Sequence, residues 1–340
     1  MLVRPLSPAR PAGAHLVALV ALDLEFIAVA YLDGSVELIG KHGQRYTARF
    51  ENDVIAVSIF FLESVPTLVV ALPDVVSLMQ IPHLRRRNVV LPGLEGRLTT
   101  TTVAGDVEEP IIVSADERGN AYRWTVRGEV LGVTRHHRKA IHYLAPIRTG
   151  ADKTNAFITA SDDRDVVLHR ASDGEVISRC RDHVGWVEAV LPVDSEGVVR
   201  FVLASDRVGT QVWEVPSGFL HARLPVRPAG PLDAVWIGSE LVVAIGAQKG
   251  TVFIWRLSGL RQYRLPTQDD IRGVALVPEG DGAVSLRIGV GRSVFVEGDS
   301  DVIESECHRF PCSILRWQLW ADRSGGIVVL EDGSMWSVDW

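Results

Sequence analysis

The residues best equipped for chemistry are few and scattered along the chain. Cys307, His308 and Cys312 lie close together, and thiolates with an imidazole are common zinc ligands. Their spacing is not the two-residue gap of a zinc knuckle, however, and no second Cys/His pair follows, so they read as ordinary residues at the edge of a structural unit. His136 and His137, with His142 further on, form another possible ligand set. His142 falls inside an apolar run, from which a strand can point a side chain into a central channel. The carboxylate pairs Asp162-Asp163 and Asp269-Asp270 sit in turn-like segments, where carboxylates accept backbone amides. His142, Glu188 and Asp233 are the titratable groups nearest the apolar runs, and an acid–base site would have to gather them. No G-x-S-x-G elbow is present. Gly289-Val290-Gly291 lacks the further glycine and the helix of a phosphate loop. No catalytic residue, metal or cofactor is assigned.

The elements that would position these groups repeat. An apolar β-branched run enters a turn rich in Asp, Gly, Arg or Lys, and a second run follows, often ending in an aromatic. IAVAYLDGSVELIG (27–40) and VVAIGAQKGTVFIWRL (242–257) are two copies; the others cover 68–81, 111–126, 157–170, 202–215, 285–298 and 326–339. Period-two alternation around a turn signal predicts a β-hairpin in each copy. The turns centre near 33, 74, 117, 163, 207, 249, 291 and 332, a spacing of roughly 41–46 residues that suits one four-stranded propeller blade. A short apolar run is expected before each hairpin, for example at 54–61, 141–147, 187–191, 232–237, 271–277 and 314–319. It fits an inner strand A. A weaker extended segment follows, as at 45–50, 130–134 and 218–224, and fits an outer strand D. No long helical period occurs.

From His137 to Leu220 the chain resembles WD40 repeats. His183-Val184-Gly185-Trp186 stands where that family has its Gly-His loop before strand A, and Trp124, Trp213 and Trp255 stand at its strand C tryptophan. In the fourth copy His137, Thr159 and Asp163 match three members of the family's buried hydrogen-bond tetrad, with His169 in place of the tryptophan. The resemblance covers nearly the whole chain by spacing and is strongest in copies 3 to 6. No Trp-Asp dipeptide ends a strand C, and copies 1, 2, 7 and 8 lack the tetrad. The resemblance implies an all-β, WD40-like propeller with a rigid surface that binds peptides or proteins.

Eight copies predict eight blades, with seven as the alternative. The last copy reaches residue 339, which leaves the eighth blade without its strand D. Residues 2–6 are expected to supply that strand, although Pro5 and Pro8 suit only an outer edge. The whole of 1–340 then reads as a single propeller domain, with 1–12 as an N-terminal segment. Residues 14–22 follow Arg4 and Arg10 and imitate a signal peptide, but Asp23 and Glu25 interrupt the pattern and the same residues are needed as strands. No apolar run is long enough for a transmembrane helix.

The chain carries 47% hydrophobic residues, enough for a large core, and a formal net charge of −7, which argues against a general nucleic-acid binder. Three cysteines, Cys180, Cys307 and Cys312, make no disulfide framework and suit the cytoplasm. Charge is nevertheless patterned along the B–C turns: Asp33, Asp74, Arg118, Arg164, Arg207, Lys249, Arg292 and Asp332. Copies 3 to 7 are basic there and copies 8, 1 and 2 acidic. Arg138, Lys139 and Arg227 on the D–A side, and Arg272 at the start of copy 7, extend the basic set. Arg85, Arg86 and Arg87 form a separate cluster that reads as a solvated edge. The expected function is a non-catalytic scaffold or adaptor whose top rim binds an acidic or phosphorylated protein or peptide, with Trp186 and Trp317 as apolar anchors near the channel mouth. The alternatives are a propeller enzyme (a lyase, hydrolase or isomerase) with a channel-mouth site, and a sensor domain of a larger signalling or immune protein.

Overall fold

The computed structural model describes residues 2–7, 16–22, 26–42, 44–62, 65–81, 85–106, 108–181, 183–187, 189–195, 197–206, 208–224, 226, 231–256, 259–265, 267–279, 284–297, 303–319, 323–331 and 334–339. They form 32 β-strands in eight four-stranded antiparallel sheets. β1 (Leu2–Ser7) stands apart from the repeats. Blade 1 is β2 (Leu16–Leu22), β3 (Phe26–Tyr31), β4 (Ser35–Gly40) and β5 (Arg45–Arg49). Blade 2 is β6 (Ala56–Leu62), β7 (Val65–Ala71), β8 (Val75–Gln80) and β9 (Arg85–Val90). Blade 3 is β10 (Leu98–Gly105), β11 (Pro110–Asp116), β12 (Ala121–Thr125) and β13 (Val130–Thr134). Blade 4 is β14 (Ile141–Thr149), β15 (Thr154–Ser161), β16 (Val166–Arg170) and β17 (Val176–Cys180). Blade 5 is β18 (Ala189–Ser195), β19 (Val198–Ser205), β20 (Thr210–Glu214) and β21 (Phe219–Leu224). Blade 6 is β22 (Leu232–Ile237), β23 (Glu240–Gly246), β24 (Thr251–Arg256) and β25 (Gly259–Arg264). Blade 7 is β26 (Ile271–Pro278), β27 (Val284–Val290), β28 (Ser293–Glu297) and β29 (Ile303–Arg309). Blade 8 is β30 (Ile314–Leu319), β31 (Gly325–Leu330), β32 (Met335–Asp339) and, as its outer strand, β1.

The first strand of each blade contacts the first strand of the next, and β30 contacts β2, so the blades close into a ring. Eight blades, not seven, is the count. β1 pairs antiparallel with β32, Leu2 opposite Asp339 and Val3 opposite Val338, and the register slips between Pro5 and Ser7. Proline is tolerated there because an outermost strand needs no donor on its open side.

The core is not central. Eight apolar clusters each straddle one seam between neighbouring blades. The seam of blades 8 and 1 joins Ile27, Val29 and Tyr31 to Ile327, Val329 and Met335, with the Tyr31 hydroxyl 3.6 Å from the Met335 Sδ. Because both faces of a blade are covered, the middle strands are not the half-buried, alternating strands that hairpin logic predicts. All of β4 and all of β31 are buried. Alternation survives on outer strands such as β5, where Arg45, Thr47 and Arg49 face solvent.

One seam rests on missing side chains. Trp317 of β30 lies against Gly273 of β26 and Gly289 of β27. A Cβ added at Gly273 would run into Cε3 of Trp317 and stand 3.1 Å from its Cβ. Trp317 is therefore a wedge between blades 7 and 8, with part of its side chain still exposed. Gly273→Ala is expected to destabilise the fold by about 2 kcal/mol through overpacking, measured by urea denaturation. Among the described residues no helix is long and apolar enough to cross a membrane.

Candidate functional site

The D–A loops and B–C turns share one face, the top. Blade 4 shows why. His137, in the loop before β14, reaches Asp163 in the turn between β15 and β16: His137 Nδ1 lies 3.0 Å from Asp163 Oδ1 and Nε2 lies 2.7 Å from Thr159 Oγ1. His169 Nε2 is 3.1 Å from the same hydroxyl. The four residues thus form one buried chain. Its proton directions follow from the network: Nδ1–H of His137 donates to the carboxylate, Thr159 donates to His137 Nε2, and His169 donates to Thr159. Burial alone would raise the Asp163 carboxyl, but bonds from His137 and the amides of Arg138 and Asp165 outweigh it and hold it down at about 2.

Blades 3 and 5 solve the same problem with other residues. In blade 3, Asp116 accepts from the Tyr122 hydroxyl at 2.9 Å, from Asn120 Nδ2 at 2.8 Å and from the amides of Arg118 and Asn120. In blade 5, Asp206 accepts from the amides of Val184 at 2.7 Å, Gly185 at 3.2 Å, Val208 at 2.7 Å and Gly209 at 3.1 Å. Buried His183 stands nearby, its Nδ1 3.9 Å from Asp206 Oδ2. Sequence reading missed Asp116 and Asp206. Both lie at the end of strand B in the turn that holds Asp163, and that alignment was the available signal.

The turns carry the basic residues outward. Arg118, Arg164, Lys249, Arg292, Arg138, Lys139 and Arg272 are all exposed. Arg207, Arg227, Glu188 and Asp332 lie outside the described residues. Arg292 is tied back, its Nε 3.1 Å from the Phe310 carbonyl oxygen. The side chains of Arg118, Arg138, Arg164, Lys249 and Arg272 have no hydrogen-bond or ion-pair partner among the described residues.

Arg164 and Lys249 have positive φ, 77° and 55°. Arg164 donates its amide to the carbonyl three residues back, as Gly34 and Gly119 do in the equivalent turns of blades 1 and 3. A left-handed position that suits glycine therefore holds a long cation, at a backbone cost of about 1 kcal/mol.

The remaining candidates for chemistry are engaged elsewhere. His142 follows a register slip in β14 and pairs at 3.0 Å with Asp162 of the B–C turn, with an exposed side chain. That contact ties it to the top-face turn of its own blade. Asp233 is held by the Arg323 guanidinium at 2.6 and 2.9 Å and accepts the Leu276 amide at 2.7 Å. Cys307 Sγ lies 3.1 Å from the Val294 carbonyl oxygen in blade 7. Among the described residues no three His, Cys, Asp or Glu side chains converge to hold a metal ion. Arg85, Arg86 and Arg87 are exposed on the outer strand β9, with Arg86 over the Phe50 ring at 5.1 Å.

Ring, seams and top face together define an eight-bladed β-propeller. No protein-family model and no curated protein matches the chain. Among solved structures it is similar to the computationally designed Ika8 protein, with 17% identity and a TM-score of 0.69 over 99% of both chains. It is similar to Saccharomyces cerevisiae Sqt1, with 15% identity and a TM-score of 0.72 over 96% of both chains. A third similar structure is the WD40 beta propeller domain of Doa1, with 15% identity and a TM-score of 0.55 over 89% of this chain and 99% of that one. At such identities the likeness is one of fold.

Proposed function

We propose that this chain is a non-catalytic interaction module, a divergent WD40-like propeller that acts as one domain and binds a protein or peptide through the cationic arc of its top face. A single observation carries the reading. The carboxylates Asp116, Asp163 and Asp206 of that face are spent on backbone amides and buried partners, while the cations of the same turns face solvent. Those three carboxylates are thereby withheld from the cations of blades 3 to 5, in a chain with a net charge of −7. Placing long cations at left-handed positions supports the same reading, because the backbone there prefers glycine. The enzymatic alternative loses one of its nominated groups to an internal pair, since Asp233 serves Arg323. A reducing, cytoplasmic setting belongs to the proposal and rests on the sparse, odd count of three cysteines.

The test is capture of partners from native extract by the full chain and by a variant carrying Arg118→Glu, Arg164→Glu and Lys249→Glu. Specific capture is expected to fall about tenfold or more, and wild-type capture to weaken with salt. Capture that is unchanged and insensitive to salt overturns the reading. The paired variant Arg164→Gly, Lys249→Gly controls for folding: it removes two cations and is expected to stay within about 1 kcal/mol of the parent stability.

A further inference from the structure

Where blades 4 and 5 meet, the top face changes character. Val184, Trp186 and Val208 are 59%, 46% and 57% exposed. Two of the three are fixed by one group. The Asp206 carboxylate gathers the amides of Val184 and Val208 on its two oxygens, each at 2.7 Å, so the loop before β18 and the turn after β19 are pinned side by side. Trp186 follows two residues after Val184 in the first of these loops. Lys139, from the loop before β14, places its Nζ 6.0 Å from the Trp186 ring centroid. The exposed Arg138 and Arg164 belong to the same blade as Lys139. The result is an apolar patch on a preorganised support, bordered by cations on its blade 4 side. Such a pairing of an exposed aromatic with a charged border is the composition of a binding hot spot.

We propose that this patch is the anchor of the cationic arc: it receives one large aliphatic or aromatic side chain against Trp186, Val184 and Val208, carried by an acidic segment of a partner protein whose flanking carboxylates meet Lys139, Arg138 and Arg164. The inference rests on the top-face reading and names the chemistry of its partner. Beyond the three cations of blade 4, the arc continues with single cations in the turns of other blades, Arg118 in blade 3 and Lys249 in blade 6. That distribution matches a run of single carboxylates rather than one doubly charged phosphate, which calls for converging guanidinium groups.

The experiment uses the full chain and three fluorescein-labelled heptapeptides, read by fluorescence anisotropy at two salt concentrations. The first is Glu-Glu-Asp-Leu-Asp-Glu-Glu, the second has alanine for leucine, and the third keeps leucine but carries one phosphoserine among uncharged residues. The leucine peptide is expected to bind about tenfold more tightly than the alanine peptide. Trp186→Ala should bring the two to equal affinity, and Val208→Asp should do the same. Both peptides should still weaken with salt, and Arg164→Gly should weaken both. Equal binding of the two acidic peptides to the parent chain, or a leucine preference that survives both patch variants, overturns the anchor. The arc reading still stands in that case, provided binding is lost in the Arg118→Glu, Lys249→Glu variant. Tighter binding of the phosphoserine peptide overturns the carboxylate assignment. Absence of binding by every peptide up to millimolar concentration overturns the anchor, while partner capture from extract tests the arc separately.

Discussion

Asp233→Ala is expected to lower the unfolding free energy by about 3 kcal/mol. Asp233 lies on the inner strand of blade 6, 8% exposed, and its oxygens accept from Arg323 at 2.6 and 2.9 Å, from the Leu276 amide at 2.7 Å and from the Ala234 amide at 2.9 Å. Leu276 belongs to blade 7 and Arg323 to the loop entering strand B of blade 8. Arg323 also donates to the Leu276 carbonyl oxygen at 2.8 Å and the Ala234 carbonyl oxygen at 3.3 Å. One ion pair thus ties three blades. Removing the carboxylate strands a guanidinium beside two carbonyl groups and leaves the Leu276 amide unpaired. Breaking a fully buried pair costs about 3–5 kcal/mol, and the 27% exposure of the Arg323 side chain places this one at the lower end. Urea denaturation of Asp233→Ala, Arg323→Ala and the double variant closes a cycle. The double variant is expected to lose less than the sum by about 1–3 kcal/mol. Additive losses, or an Asp233→Ala loss under 1 kcal/mol, would contradict the role of the pair.

Acid is expected to weaken the fold from near pH 6.5 downward, and His169 is the main cause. Burial first, with the charges of His137, His136 and Arg179 adding to it, depresses the His169 imidazole to about 3, outweighing the Gly174 carbonyl, which favours the protonated form by accepting the second N–H. In the unfolded chain the same group titrates near 6.5. Between those values the unfolded state binds a proton that the folded state refuses, so stability falls as pH falls. The contribution is complete above 6.5 and gone below about 3. The slope from this group approaches about 1.4 kcal/mol per pH unit, or roughly 2–3 kcal/mol between pH 6.5 and 4. His136, also depressed chiefly by burial, acts in the same direction. Asp163, held at about 2 by His137 and backbone amides, adds its loss only below the ordinary carboxylate range. His169→Trp puts an indole N–H where the imidazole donates to Thr159 and removes the titration. Its stability is expected to vary far less between pH 6.5 and 4. An unchanged pH profile in that variant would remove His169 as the cause.

The blades were legible because the turns are constrained. A B–C turn that needs a left-handed residue and an acceptor for backbone amides selects Gly, Asp and a few basic residues, and it does so every 41–46 positions. The inner strand of blade 3 was missed because it reads Leu98-Thr99-Thr100-Thr101-Thr102, a polar run. Its hydroxyls find partners across the blade and the seam. Thr101 Oγ1 is 2.9 Å from Ser114 Oγ, and Thr99 donates to the Ile141 carbonyl oxygen. The role of Asp233 was hidden because its partner lies 90 residues away. What Trp317 packs against was hidden because an aromatic on an inner strand says nothing of what faces it. The information sat in Gly273 and Gly289, two glycines in β-strands where only a close approach explains them. For the top face, sequence revealed which turns carry cations but not that Asp116, Asp163 and Asp206 would be consumed beneath them.

The ring has a consequence for how the molecule comes apart. In an open array of repeats the two end units have one neighbour each, melt first and protect the middle. With β30 against β2 and β1 completing blade 8, every blade has two neighbours and there is no end from which to fray. Opening any one seam uncovers two apolar faces at once, and the loss is shared by blades on both sides. Amide exchange from the buried β3, β7, β11, β15 and β31 should therefore proceed through whole-ring opening, at similar rates, instead of grading from one blade to the next.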